Sequence, residues 1–264
     1  MNKFIVSTIA ATLLSGCLDN SSIDNNIASF EGAIISTVNY DTQSSDLAAI
    51  DTEYQATENL NPQGFSDVAF SIGAESLYII NRSGQNNIVK YSQETLGETI
   101  WQYSTNNPDI ENQNSNPYQV IERSNNSAYV LRYNTGEIWE VNTKAESDVD
   151  FKVSEIDLSS FDADGIPDMV AATIYNNVLY VALQRLTNYA ADQDSYLVAF
   201  DINNDNVEID LSPNDDSSTA LTLSVRNPKE IEVINNQLYI AAVGRYAVSD
   251  WNTGAVLEET QYVG

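Results

Sequence analysis

Four arginines follow closely on four similar apolar segments of the chain: Arg82, Arg132, Arg185 and Arg245. Guanidinium forks repeated at the ends of like elements suit a carboxylated or sulfated anion, which they grip with paired hydrogen bonds. The same residues suit structural ion pairs with acids at the start of each repeat, such as Asp67 or Asp168. Each arginine trails a tyrosine by three to six residues, a drift that favours the structural pairs. A second candidate is Phe161-Asp162-Ala163-Asp164-Gly165-Ile166-Pro167-Asp168, where Asp162, Asp164 and Asp168 surround a glycine turn. Oxygen ligands of this kind suit a hard cation, and calcium is the candidate cofactor. An EF-hand loop also needs a bidentate Glu at its twelfth position, and counting from Asp162 that position is Thr173. Asp201-Ile202-Asn203-Asn204-Asp205 alternates better but reaches Ser212 there, so both segments read first as Asx-rich turns.

Composition removes much other chemistry. The 264 residues carry 38 acids against 11 Lys plus Arg, a formal charge of -27, which repels phosphate backbones and argues against a nucleic-acid partner. With no histidine, there is no Ser-His-Asp or Cys-His nucleophile system and no His-ligated zinc, copper or haem. The glycines form no phosphate-cradling loop, and no spacing singles out a general acid-base carboxylate pair. A 42% hydrophobic content is enough for a real core.

The elements that must position these side chains recur with a period of roughly 50 residues. Leu77-Tyr78-Ile79-Ile80, Ala128-Tyr129-Val130-Leu131, Leu179-Tyr180-Val181-Ala182 and Leu238-Tyr239-Ile240-Ala241 read as strands, their tyrosines 51, 51 and 59 residues apart. The longer interval is absorbed by the polar stretch 212–218, read as a loop between strands. A short polar turn followed by an alternating entry strand precedes each tyrosine strand, at 65–68, 116–120, 166–170 and 227–231, with proline in three of them, which at a strand's first residue loses no ladder bond. Third strands are expected at 136–141 and 196–201, and fourth strands at 99–103, 151–156 and 220–225. Four short antiparallel strands per repeat make an all-β β-propeller of four-stranded blades. Residues 30–63 read as the later strands of a blade without its first. About four blades are present, and the chain reads as an incomplete propeller; the alternative lets the C-terminal strands complete the N-terminal blade.

These repeats, over residues 30–264, resemble the YVTN-type β-propeller proteins of bacterial cell surfaces. The N-terminus adds an address. Lys3, an apolar run from Phe4 to Leu14 and small residues form a secretory signal over 1–16, too short to span a bilayer. Leu14-Ser15-Gly16-Cys17 resembles the lipobox of bacterial lipoproteins, which implies acylation of Cys17, the only cysteine. Leu18, where enteric inner-membrane lipoproteins carry Asp, implies an outer-membrane or cell-surface destination. Residues 17–29 read as a flexible tether.

The function expected from all this is a lipid-anchored, non-enzymatic module that binds a protein or an anionic ligand. The alternative is a carboxylate- or calcium-dependent hydrolase or lyase built on the same propeller.

Overall fold

The computed structural model describes residues 32–93, 98–215 and 217–245, with the backbone of two short strands at 248–249 and 256–258. The signal segment, Cys17 and the tether lie outside the described residues. Packing divides the chain after Ser104 into two compact units.

In the first unit, β1 (Gly32–Asn39), β2 (Ser44–Asp51) and β3 (Ala56–Thr57) form a three-stranded antiparallel meander. β4 (Val68–Ile72), β5 (Ser76–Asn81), β6 (Asn87–Ser92) and β7 (Thr99–Ser104) form a four-stranded one, ordered as in sequence. Every residue of β5 is buried, because a central strand packs on both faces and pairs on both edges. Ile34, Leu47, Leu77, Ile79, Val89 and Tyr91 form one buried cluster of this unit's core.

In the second unit, β8 (Pro117–Ser124), β9 (Ser127–Arg132), β10 (Glu137–Asn142) and β11 (Lys152–Asp157) repeat the four-stranded meander. β12 (Met169–Tyr175), β13 (Val178–Leu183) and β14 (Tyr196–Asp201) begin the next. Its fourth place departs from the expected strand over 220–225. Two short pieces share it: β15 (Val207–Ile209) pairs with Ala199–Asp201, and β16 (Leu221–Thr222) pairs with Tyr196 and Leu197. The polar insertion, carrying Pro213 and a run of Asp and Ser, lies between these two pieces, a loop between strands as expected. β17 (Pro228–Ile234) and β18 (Gln237–Ala242) follow as a pair, and β19 (Val248–Ser249) pairs with β20 (Val256–Glu258).

The tyrosine strands β5, β9, β13 and β18 each carry their tyrosine at the third residue. Their burial differs with their neighbours. Tyr78 and Tyr129 are 1% and 0% exposed beneath β6 and β10, whereas Tyr239 is 49% exposed, β18 pairing with β17 alone among the described residues.

Two devices hold the repeats of the second unit in register. Asn176-Asn177 and Asn235-Asn236 turn their hairpins with φ of 51°, 63°, 51° and 62°, the paired left-handed conformations of a type I′ turn. Asn116, Asp168 and Asn227, each just before an entry strand, also hold positive φ of 48°, 53° and 57°. Their carbonyls accept the N–H of Tyr133, Gln184 and Val243 at 3.1, 3.1 and 3.2 Å, tying the end of each tyrosine strand to the start of its entry strand. Adjacent repeats are stitched by polar groups. The Gln119 amide exchanges bonds with the Ala172 backbone (2.8 and 3.1 Å), on the outward side of β12, the edge strand of its sheet. Tyr129 Oη donates to Asn206 Oδ1 at 2.5 Å, and burial, with Glu140 beside it, pushes that phenol up to about 12.

The turn geometry yields a stability prediction. Asn177→Val places a β-branched residue at φ 63° and is expected to lower unfolding free energy by about 1–2 kcal/mol, while Asn177→Gly stays near wild type. Urea denaturation of the two variants checks the order.

Candidate functional site

β5 and β6 are joined by 82–86 and β9 and β10 by 133–136, tight connections of five and four residues. Between β13 and β14 the connection runs through 184–195, twelve residues, and side chains from three repeats hold it. Gln184 at its root is buried. It accepts from Tyr133 Oη (2.8 Å) and donates to Asn227 Oδ1 and the Pro228 carbonyl (2.7 and 2.9 Å). Arg185 lies over the Tyr196 ring, its guanidinium carbon 3.9 Å from the centroid, and donates to the carbonyls of Phe161 and Asp194 and to Gln193 (2.7, 2.9 and 3.2 Å). Arg226 donates to the Asp192 carbonyl (3.0 Å) and to the Asp194 carboxylate (2.9 Å), and Arg245 reaches the Asp192 carboxylate at 2.5 Å. Ser195 at the far root donates to the Gln184 carbonyl (3.1 Å) and accepts the Asn227 N–H (3.0 Å). The tip is closed by reciprocal backbone bonds between Thr187 and Ala190. Asn188 and Tyr189 there hold φ of 50° and 65°, and Tyr189 is 92% exposed. A long loop held rigidly with an aromatic outward is how scaffolds present binding residues.

The four sequence-expected arginines do not occupy one repeated position. Arg82 takes the place equivalent to Tyr133, Gln184 and Val243, its N–H bonded to the Asp67 carbonyl at 3.0 Å. Arg132 lies one residue earlier, at the end of its strand, and Arg185 one later, where Asn134 and Gly244 stand in their repeats. Each guanidinium has an acid partner: Arg82 with Asp67 (3.4 Å), Arg132 with Glu137 (3.0 Å), Arg185 with Asp162 (3.6 Å) and Arg245 with Asp192 (2.5 Å). Arg132 is 1% exposed, bonded to the Thr105 carbonyl (2.9 Å) and set over the Trp139 ring at 4.0 Å. Its burial lowers it to about 10 despite Glu137.

The three aspartates are engaged separately. Asp162 faces Arg185, Asp164 Oδ1 accepts the Ile166 N–H (2.8 Å), and Asp168 Oδ2 accepts the Leu186 N–H (2.6 Å) at the root of the long loop. Among the described residues, no group of three or more His, Cys, Asp or Glu is placed to hold a metal ion. Asp201 Oδ1 accepts the Asn203 N–H (3.0 Å), the Asx turn its sequence suggests.

Asp168 stands where the flanking repeats have Asn116 and Asn227. The left-handed backbone there needs only an Asx residue, so the charge is an addition. Burial raises the Asp168 carboxyl to about 6. The Leu186 N–H and Tyr133 hydroxyl pull the other way, while Asp164 and Asp162 add to the rise.

Sequence reading missed the long loop and its brace Arg226. Its signal was the spacing between tyrosine strand and third strand, short after Tyr129 and long after Tyr180.

No family model and no curated protein matches the chain. Among solved structures it is similar to virginiamycin B lyase from Staphylococcus aureus, with 16% identity and a TM-score of 0.52 over 80% of this chain and 60% of that one. It is also similar to a periplasmic gluconolactonase from Pseudomonas aeruginosa, at 12% identity and a TM-score of 0.54 over 88% and 67% of the two chains. A protein from Lactobacillus plantarum gives 11% and 0.54 over 88% and 69%. The chain thus spans about 60% of the length of the lyase. With its sequential antiparallel meanders, the likeness shows a β-propeller fold built from four-stranded blades.

The raised Asp168 carboxyl fixes the sign of a pH effect. A folded-state value above the unfolded one, near 3.9, gives stability that is full below about pH 4 and lost as pH rises through about 6. Asp168→Asn keeps the acceptor and the backbone preference. It is expected to gain on wild type as pH rises from about 4 to above 6, with no gain at the acid end, in melting temperatures across that range.

Proposed function

We propose that the chain is a lipid-anchored β-propeller of the outer membrane or cell surface, acting as a non-enzymatic binding module whose contact element is the loop 184–195. The observation that carries this reading is the pairing of firm bracing with outward display. Gln184, Arg185, Arg226 and Arg245 fix the loop from beneath, while Tyr189 at its tip is 92% exposed. A loop ordered before its partner arrives avoids the entropy cost of ordering on contact. An exposed tyrosine costs about as little rotamer freedom as an aromatic anchor can. The Cys17 anchor rests on the lipobox resemblance, and two or more acyl chains would hold the protein at a membrane surface at about 0.8 kcal/mol for each buried methylene.

The anchor is tested by Cys17→Ser in a bacterial host fed a labelled fatty acid. The wild type is expected to carry the label and sediment with membranes. The variant is expected to lose both, and a membrane-bound, unlabelled wild type would remove the anchor.

A second reading has a specific support: two of the solved structures similar in fold are enzymes by name, a lyase acting on virginiamycin B and a gluconolactonase. On this reading the chain is a carboxylate- or calcium-dependent hydrolase or lyase, with Asp168 beside Tyr133 as its acid-base group. Virginiamycin B opening and gluconolactone hydrolysis, each followed with calcium and with chelator, are the assays. Turnover in either that falls at least about 100-fold in Asp168→Asn would favour the enzyme over the binding module.

A further inference from the structure

The braces of the long loop sort its charges by depth. The Arg185, Arg226 and Arg245 side chains are 14%, 25% and 13% exposed, their guanidiniums taken up by loop carbonyls and carboxylates. The acids of the last two pairs face outward, with the Asp194 side chain 57% and the Asp192 side chain 45% exposed. Thr187, Asn188 and Tyr189 form the exposed tip between them and the loop's root. The loop thus shows an approaching molecule an aromatic ring and carboxylate edges, with the cations beneath. The chain's formal charge of -27 extends the same sign over the rest of the molecule. An anionic ligand would meet this field first and the guanidiniums last, after displacing the bonds that hold the loop.

Resting on the binding-module reading above, we infer that the partner of this loop is a protein segment rich in lysine and arginine, which seats a cationic side chain against Tyr189 with Asp192 and Asp194 alongside. An ammonium or guanidinium gains from the ring face and from nearby carboxylates together, and complementary fields speed the encounter.

The test uses the full chain and a fluorescent Lys-Ser repeat peptide, followed by anisotropy at about 0.15 M salt, where the Debye length is about 8 Å and the distant field is screened. Tyr189→Ala is expected to weaken binding about fivefold, and Tyr189→Phe to restore it. Tyr54→Ala removes a ring that is 88% exposed in the other unit and is expected to leave binding unchanged. Equal losses in Tyr189→Ala and Tyr54→Ala, or a loss in neither, would mean that net charge alone attracts the peptide and would overturn the inference. So would the absence of binding to the Lys-Ser peptide. A parallel arm with a Glu-Ser peptide and a panel of neutral oligosaccharides separates the two levels of the argument. Tyr189-dependent binding there would overturn the cationic partner and leave the binding loop standing, whereas binding in no arm would overturn both.

Discussion

The structure depends on burying one strand per repeat from every side. A strand with Leu, Tyr and two further apolar residues in a row cannot show one face to water at low cost, as an alternating strand can. It needs partners on both edges and packing on both faces. Where a third strand covers it, as β6 covers β5 and β10 covers β9, Tyr78 and Tyr129 are sealed, and Tyr180 of β13, covered by β14, is partly buried. The same sequence pattern in β18, with one strand partner among the described residues, leaves Tyr239 half exposed. The motif therefore states a demand for neighbours, and the antiparallel meander is the shortest chain path that supplies them.

Once the meander is fixed, the scarce cations of an acidic chain acquire a structural use. All six arginines, Arg82, Arg123, Arg132, Arg185, Arg226 and Arg245, are paired with an acid, and five of them lie in the second unit. Most also donate to backbone carbonyls, as Arg123 does to Ile202 at 2.5 Å. A guanidinium carries five donors in a fixed fork, so one side chain satisfies several loop carbonyls that no strand partner reaches. Glu140 shows the converse arrangement. Burial works against its carboxylate, yet the Ser127 and Ser154 hydroxyls and the Arg123 guanidinium together hold it below the usual carboxylate range.

What the sequence made legible follows from this. The tyrosine strands, their entry strands and the third strands were readable, because runs such as Leu-Tyr-Ile-Ile carry the burial demand in the residues themselves. The split fourth place of the third repeat was not. An outer strand is defined by pairing with β14; 221–222 falls within the strand expected at 220–225, but the three residues of 207–209 are too few to signal the other piece. The arginines were visible as residues, and the acids they pair with were only partly so. The arginines' drift of three to six residues behind the tyrosines already favoured separate ion pairs, because a shift of one residue at a strand end turns a side chain toward different partners. Arg226 acts on the same loop from before β17, a place that no count from the tyrosines reaches.

The long loop shows why one repeat can depart from the pattern without breaking it. Its two roots keep the bonds that the repeat requires: Gln184 N–H to the Asp168 carbonyl, as Tyr133 bonds Asn116, and Ser195 beneath Asn227. Most of what lies between them is free of the sheet's register and is held by side chains, with reciprocal backbone bonds between Thr187 and Ala190 closing the tip. That division explains the place of Asp168. Its backbone does the work that Asn116 and Asn227 do, while its carboxylate reaches past the sheet to the Leu186 N–H, the first amide of the loop beyond the two that bond to the entry segment. An Asn could accept that bond, so the exchange of amide for carboxylate adds strength to it and brings a charge into a half-buried place already facing Asp162 and Asp164. The repeat fixes where the residue stands, and its departure from the repeat marks what that one loop needs in addition.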